Sequence, residues 1–195
     1  MEIIKVNKAA PSPSTVKKIV RTLKNGGIIA YSTDTAYGLG AVLNNKNALK
    51  KIFKIKKRPS QKRLGLIASD LKQVKRFFVL NKREIELARK YWPGPLSVIL
   101  KSKKGKSAAV RVPALKLARL ICQKIGQPIS STSLNLAGKN ECYSLSDFKE
   151  QFKNQKYLPD LFLDSGRLKK LKPSTLVKVT SKKIKILRPG PIKIE

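Results

Sequence analysis

Histidine is absent from this sequence, and its absence excludes several classes of enzyme. A Ser-His-Asp triad, a Cys-His pair and a histidine-ligated metal site all require an imidazole ring. The two cysteines, Cys122 and Cys142, are too few for a disulfide framework or a zinc site, and we expect Cys122 in the core of a helix. Reactions that depend on positioning and electrostatic stabilisation, such as phosphoryl or nucleotidyl transfer, fit this composition better.

Acidic residues are also scarce. Eleven Asp and Glu stand against 44 Lys and Arg, which gives a formal net charge of +33. Such an excess favours polyanionic partners, and tRNA or double-stranded RNA could bind a surface of this charge. However, ten of the basic residues are arginine and the others are lysines spread along the whole chain. Compositional drift therefore explains the charge as well as a specific RNA surface does, and both interpretations stay open.

Long apolar runs are missing too. No segment approaches the ~20 apolar residues that span a bilayer, and the N-terminus has no apolar signal core. We therefore predict a cytoplasmic protein that has no membrane partner. The length of 195 residues fits a single domain, 1–195.

Short apolar segments alternate with helical patterns, which predicts an α/β domain with a mixed sheet. Ser14 is predicted to cap the first helix, and the Gly26-Gly27 pair to end it. Further helices are predicted around 49–56, 71–78, 83–91 and 114–125 and after a capping box at Ser144. Strands are predicted at 28–31, 64–68, 96–101, 108–112 and 128–131 and near 161, 176 and 184.

A polar run follows the strand predicted at 128–131. Thr132, Ser133 and Asn135 come where the chain should leave the sheet, and ligands of open α/β sheets bind beyond the carboxyl ends of strands. Their hydroxyl and amide groups either bind a phosphate or sugar, or stabilise a turn that caps the next element.

Two further polar segments point to the same chemistry. Lys56, Arg58 and Lys62 lie at or just past a predicted helix end, where they either bind phosphate oxygens or form a solvated basic helix terminus. Asp34 lies in the polar segment 32–38 and is either functional or a turn-stabilising side chain. The segment Trp92-Pro93-Gly94-Pro95 is interpreted as a structural turn rather than a contact.

Taken in chain order, these segments resemble the motifs of the YrdC family. The first motif is 27–40, which ends in Ser-Thr-Asp-Thr-Ala-Tyr-Gly-Leu-Gly, and the second is Lys56-x-Arg58-Pro-x-x-Lys62. The others are Trp92–Ser97, Ala109–Pro113, Ser131–Gly138, Pro173–Thr175 and Leu187–Gly190. The resemblance extends over nearly the whole chain. It implies a twisted mixed sheet flanked by helices, with a basic central cavity.

The resemblance also implies an enzyme, a nucleotidyltransferase. It would convert L-threonine, bicarbonate and ATP into L-threonylcarbamoyladenylate, pyrophosphate and water, with Mg²⁺ accompanying ATP. Partner proteins would then use the product for threonylcarbamoyladenosine modification of tRNA.

By matched position, the resemblance assigns roles to individual residues. Lys56 and Arg58 are the expected catalytic residues, and no protein ligand to a metal is expected. The expected threonine-binding residues are Thr35, Ile67, Arg111, Ser131 and Ser174. The expected ATP-binding residues are Arg58, Lys62, Ser107, Ser133, Asn135, Glu141 and Arg188.

Two other functions remain as alternatives. A non-catalytic module that binds double-stranded RNA or tRNA in RNA or ribosome maturation would bind RNA tightly and turn over no ATP. Carbamoyl-adenylate chemistry of the hydrogenase-maturation type is the second. The chains that perform it carry zinc-finger-like cysteines and an acylphosphatase-like segment, which this sequence lacks.

Overall fold

The computed structural model describes residues 1–59, 64–180 and 183–194. In these ranges the helices are α1 (Pro13–Lys24), α2 (Lys46–Lys56), α3 (Leu71–Phe77), α4 (Lys82–Tyr91), α5 (Lys116–Ile125) and α6 (Leu145–Phe152). The strands are β1 (Glu2–Lys5), β2 (Ile29–Ser32), β3 (Tyr37–Gly40), β4 (Gly65–Ile67), β5 (Phe78–Val79), β6 (Leu96–Ser102), β7 (Ser107–Arg111), β8 (Ile129–Ser133), β9 (Leu161–Asp164), β10 (Thr175–Val179) and β11 (Ile184–Arg188).

The strands form one mixed sheet in the order β1-β9-β2-β3-β8-β4-β7-β6-β10-β11, and β5 pairs with β6 beside this path. The pairs β1–β9, β2–β9, β4–β7 and β6–β10 are parallel, and the other pairs are antiparallel. The predicted mixed α/β sheet with helices is therefore confirmed. A single domain over 1–195 stays a prediction.

The start of α1 differs from the prediction. Ser12, not Ser14, is the N-cap, and its hydroxyl accepts a hydrogen bond from the Thr15 amide at 3.2 Å. Pro13 explains the shift, because proline is favoured at the first helical position and the residue before it then becomes the cap. The predicted end is confirmed: Asn25 caps the helix, and Gly26 follows with a φ of 79°.

Strand β3 was missed and β8 was predicted too short, for one reason. Gly38 and Gly40 lower the strand propensity of 37–40, yet the sheet needs them, because a Cβ on Gly40 would lie 2.9 Å from the Tyr31 ring. Once β3 forms, it pairs Gly38 with Ser133 and Leu39 with Thr132. Thr132 and Ser133 therefore belong to β8, contrary to the prediction that they follow the strand.

The sheet is buried on both faces in its central part. Alternate residues of β2 enter different clusters: Ile29 and Tyr31 pack with α1 and α5, whereas Ala30, like Ile28 just before the strand, packs with α2 and α6. A third cluster joins β6, β7 and β10 to α3 and α4. Cys122 is fully buried on α5, as predicted. In the part of the chain that the structure describes, no helix has the length and apolar character of a membrane span.

Candidate active site

A cavity of about 380 Å³ lies against the central strands. The neighbouring strands β3, β8, β4 and β7 all contribute lining residues, and so do β6, β10 and β11. The cavity therefore rests on the sheet itself and not only beyond the strand ends, where the polar run was expected to act. Its volume falls within the range of small-molecule sites, roughly 300–1,000 Å³.

Most of the predicted site residues meet at this cavity. All five expected threonine residues line it: Thr35, Ile67, Arg111, Ser131 and Ser174. Of the expected ATP residues, four line it: Arg58, Ser133, Glu141 and Arg188. Lys56, Ser107 and Asn135 are not among the described lining residues. Lys62 falls outside the described residues.

The cavity has a basic lining. Its described walls carry three arginines, Arg58, Arg111 and Arg188, against one carboxylate, Glu141. Partial desolvation, and secondly nearby Arg111, lowers the pKa of the Arg188 guanidinium, while Glu141 opposes the shift. An anionic ligand would relieve the repulsion among these cations.

Arg111, the last residue of β7, faces Asp34 in the β2–β3 turn. Arg111 Nη1 and Asp34 Oδ1 lie 3.0 Å apart, and both side chains are largely buried. Neither atom has a hydrogen-bond partner among the described residues, so the pair is held by charge.

The turn itself is held by Thr33. Its hydroxyl accepts hydrogen bonds from the Thr35 amide at 3.2 Å and the Ala36 amide at 3.3 Å, and it donates to the Ala36 carbonyl at 2.7 Å. The Thr35 hydroxyl lies 3.1 Å from that of Thr33. Thr33, rather than its neighbour Asp34, therefore stabilises the turn.

Ser131 and Ser174 are each held by a buried hydroxyl. The hydroxyl of Tyr31, which is fully buried, donates to Ser131 Oγ at 2.8 Å, and burial raises the pKa of this tyrosine. Ser97 Oγ and Ser174 Oγ lie 2.8 Å apart and share a hydrogen bond. Arg188 donates to the Ser174 carbonyl at 2.9 Å and to its hydroxyl at 3.0 Å. These contacts fix the three lining side chains before any ligand binds.

Lys56 binds the Ser133–Asn135 segment instead of facing the cavity. Its ammonium donates to the carbonyl of Ser133, to the carbonyl of Asn135 at 3.0 Å and to Asn135 Oδ1 at 2.7 Å. These three acceptors match the three N–H groups of an ammonium. Ser133 Oγ donates to the same Asn135 Oδ1 at 2.7 Å. Burial, and secondly Arg58, lowers the pKa of Lys56 to about 8.

The end of α2 delivers Arg58 to the cavity. Lys57 caps the helix with a φ of 48°, and the amides of Lys57 and Arg58 bond back to the carbonyls of Lys54 and Phe53 at 3.2 and 3.0 Å. This left-handed turn stops the helix and directs the next residue away from its axis. The basic cluster is therefore more than a solvated helix terminus, because Arg58 lines the cavity.

Sequence reasoning missed three residues that support the site: Tyr31, Ser97 and Asp34 as the partner of Arg111. Tyr31 resembles an ordinary strand residue, and only its pairing with residue 131 reveals its role. Ser97 lies in the predicted strand 96–101, two residues after the segment Trp92-Pro93-Gly94-Pro95 that was interpreted as a structural turn. That turn is indeed held internally, since Trp92 Nε1 donates to the Leu96 carbonyl at 2.7 Å.

The described residues contain no group of three or more His, Cys, Asp or Glu side chains placed to hold a metal ion. Glu141 is the one carboxylate on the described cavity walls, and the Tyr143 hydroxyl donates to it at 3.4 Å.

Comparison with known proteins places these features in a family. The sequence model of the Sua5/YciO/YrdC family, described as "Telomere recombination", matches residues 21–190. A threonylcarbamoyl-AMP synthase of Vibrio vulnificus is 33% identical over 154 residues, which cover 73% of this chain and 83% of the relative. One of Neisseria gonorrhoeae is 34% identical over 176 residues, which cover 84% and 90%.

The fold comparison agrees. The crystal structure of P. abyssi Sua5 complexed with L-threonine superposes with a TM-score of 0.87 at 28% identity over 97% of this chain. This chain spans 58% of that longer protein. The family model matches residues 21–190, the relatives are similar over most of their length, and the architecture is shared. The chain therefore belongs to the Sua5/YciO/YrdC family.

Proposed function

We propose that this protein is a threonylcarbamoyl-AMP synthase. It would convert L-threonine, bicarbonate and ATP into L-threonylcarbamoyladenylate, pyrophosphate and water. The observation that carries the proposal is the convergence of nine expected substrate residues, spread from Thr35 to Arg188, on one basic cavity. The names of the curated relatives and the likeness to a Sua5 bound to L-threonine support it.

Threonine would bind where polar side chains are already held in place. Arg111 would take the carboxylate, because a guanidinium offers two parallel N–H groups to such an anion. Thr35, Ser131 and Ser174 would bind the remaining polar groups, and Ile67 offers an apolar contact to the substrate methyl. A site that hydrogen-bonds the substrate hydroxyl would reject an analogue without it strongly, whereas serine differs by one methyl and would be rejected weakly.

ATP would bind along the arginines. Arg58 and Arg188 would neutralise the phosphates, and Lys62 and Ser133 would be further contacts to the nucleotide. Ser107 and Asn135 stay as expected contacts that lie off the described cavity walls. Lys56 would act through the segment it holds, because its three N–H groups are already bonded to Ser133 and Asn135.

The substrate would supply its own nucleophile. The threonine amine adds to the carbon of bicarbonate with loss of water, which gives N-carboxythreonine. A carbamate oxygen then attacks the α-phosphorus of ATP, and the bond to the departing pyrophosphate breaks. Cations aligned with the phosphates stabilise the charge that develops on pyrophosphate, so no histidine base is needed.

Mg²⁺ would enter with ATP, bound mainly by phosphate oxygens and water. Glu141 is the lining residue that could hold it from the protein side, and its carboxylate is otherwise an unusual neighbour for phosphates. The adenylate would pass to partner proteins that modify tRNA.

The first experiment measures pyrophosphate release from ATP by the purified full chain, with threonine and bicarbonate each present or omitted. Release that requires both supports the proposal, and serine is then the next substrate to compare. ATP turnover without threonine would contradict it. No release, together with tight and salt-sensitive tRNA binding, would favour the RNA-binding alternative.

A further inference from the structure

Asp34 places a carboxylate against Arg111 in a mostly buried setting. The side chains of Arg111 and Asp34 are 9% and 16% exposed, and their nearest atoms are 3.0 Å apart. Both of these atoms lack a hydrogen-bond partner among the described residues. A buried charge without a counter-ion is costly, so each group depends on the other.

The described contacts of Asp34 are with β7 and the segment that follows it, rather than with its own turn. The turn that carries it is held by the Thr33 hydroxyl, as described above. Its second oxygen, Oδ2, accepts a long hydrogen bond of 3.4 Å from the Ala114 amide, three residues past Arg111. Asp34 thus joins the β2–β3 turn to the end of β7 through Arg111 and its following segment.

The charges around Arg111 are the informative feature. Arg111 lines the cavity, and Asp34 is not among the described lining residues, although its neighbours Thr33 and Thr35 are. Arg111 is close enough to Arg188 to contribute to the lowered pKa of the Arg188 guanidinium, so the two positive charges repel each other. The Asp34 carboxylate, 3.0 Å from Arg111, offsets this repulsion and restrains the guanidinium at the cavity wall.

We propose that Asp34 is a positioning residue that orients Arg111 toward the carboxylate of the amino-acid substrate. This inference rests on the proposed function, in which Arg111 binds that carboxylate. Loss of the negative charge at Asp34 would let Arg111 turn away from its productive orientation. The effect would fall on amino-acid binding and leave the nucleotide contacts in place.

The test uses Asp34→Asn, which keeps the shape of the side chain and removes its charge. We expect the KM for threonine to rise about tenfold, as for loss of one charge-assisted contact, with kcat and the KM for ATP within about twofold of the wild-type values. Threonine binding measured by calorimetry should weaken by the same factor. Asp147→Asn is the matched control, because Asp147 also pairs with an arginine, Arg167 at 3.4 Å, and does not line the described cavity.

A double-mutant cycle separates positioning from a general structural role. In an Arg111→Gln background, Asp34→Asn should add little to the threonine defect, because no cation remains there for Asp34 to orient. An unchanged or lower KM for threonine in Asp34→Asn would overturn the inference. So would an equal loss in both backgrounds, or a matched rise in both KM values. If the wild-type chain binds no threonine, the proposed function itself fails, and the two failures are thereby distinguished.

Discussion

Two sets of lining residues are held in different ways. The residues proposed to bind the amino acid, here the amino-acid set, are Arg111, Ser131 and Ser174. Each of them contacts a side chain from a distant part of the sequence: Asp34, Tyr31 and Ser97. The residues proposed to bind the nucleotide, here the nucleotide set, are Arg58, Ser133 and Glu141. Here the backbone around Ser133 is held by one buried lysine, Lys56, which lies two residues before Arg58.

The difference shows how each set depends on the fold. The amino-acid set is ordered by several separate pairs across the sheet, so one lost contact removes only one constraint. Within the nucleotide set, Ser133 depends on a single ammonium with three acceptors, so the state of that one group affects Ser133 and the neighbouring Asn135 together. The amino-acid set should therefore change in graded steps, and the nucleotide set in a single step.

The largest expected effect comes from removing one arginine of each set. Arg111→Ala and Arg58→Ala should each reduce pyrophosphate release by about 10²–10³-fold or more, because each deletes a charge opposite a substrate anion. Titrations of the two substrates should separate them: threonine affinity falls in Arg111→Ala and ATP affinity in Arg58→Ala. Circular dichroism checks that both variants fold. Activity retained after both replacements would refute the site, and equal losses for both substrates would refute the division into two sets.

A smaller effect is expected from pH through Lys56. Burial lowers its pKa to about 8, and the neutral amine has two N–H groups for three acceptors, so activity should fall several-fold between about pH 8 and pH 10. Stability should respond in the opposite direction. The unfolded chain binds more protons between the folded pKa of about 8 and the ordinary 10.5, so the contribution of Lys56 to the free energy of unfolding rises with pH in that window.

The matched variant for this prediction is Lys56→Arg, whose guanidinium stays charged throughout the range. We expect a lower absolute rate for this variant. The diagnostic observation is its pH profile, in which activity should not decline above pH 8. If the activities of the wild type and Lys56→Arg declined in the same way above pH 8, the titrating group would not be Lys56. The nucleotide set would then not respond to pH in a single step.

The smallest expected effect is that of Tyr31→Phe, which removes one constraint from the amino-acid set. Ser131 Oγ loses the hydrogen bond that it accepts at 2.8 Å, while the ring and its packing stay. The KM for threonine should rise about two- to fivefold, which corresponds to one neutral hydrogen bond. Steady-state kinetics with each substrate varied in turn would measure it. An equal change in the KM for ATP would mean that the two sets are coupled through β8.

Much of the fold could be predicted from the sequence because the apolar periods are clear. The strand from Leu96 and the helix ending at Tyr91 lie where they were predicted. The hairpin strand β3 could not be predicted, because its glycines serve close approach to Tyr31 and to β8 instead of strand propensity. The N-cap of α1 shows the same limit on a small scale. Ser12 and Ser14 both suit the cap position, and Pro13 between them decides in favour of Ser12.

The site divides in a similar way. The polar segments around Thr35, Arg58, Ser133 and Ser174 could be found because hydroxyl and basic side chains cluster there, and the structure brings these residues together. The partners that hold them could not, since Tyr31 and Ser131 are 100 residues apart. Lys56 was expected to be catalytic from its motif alone. That expectation stays untested, and its three bonds to 133–135 point to positioning.

The position of the last hairpin has a consequence for synthesis of the protein. Ser174 precedes β10, Arg188 ends β11, and β10 joins the sheet beside β6. A nascent chain on the ribosome therefore has an unfinished cavity until translation has passed residue 188. Ligands that require the complete cavity can therefore stabilise only chains that have reached this stage.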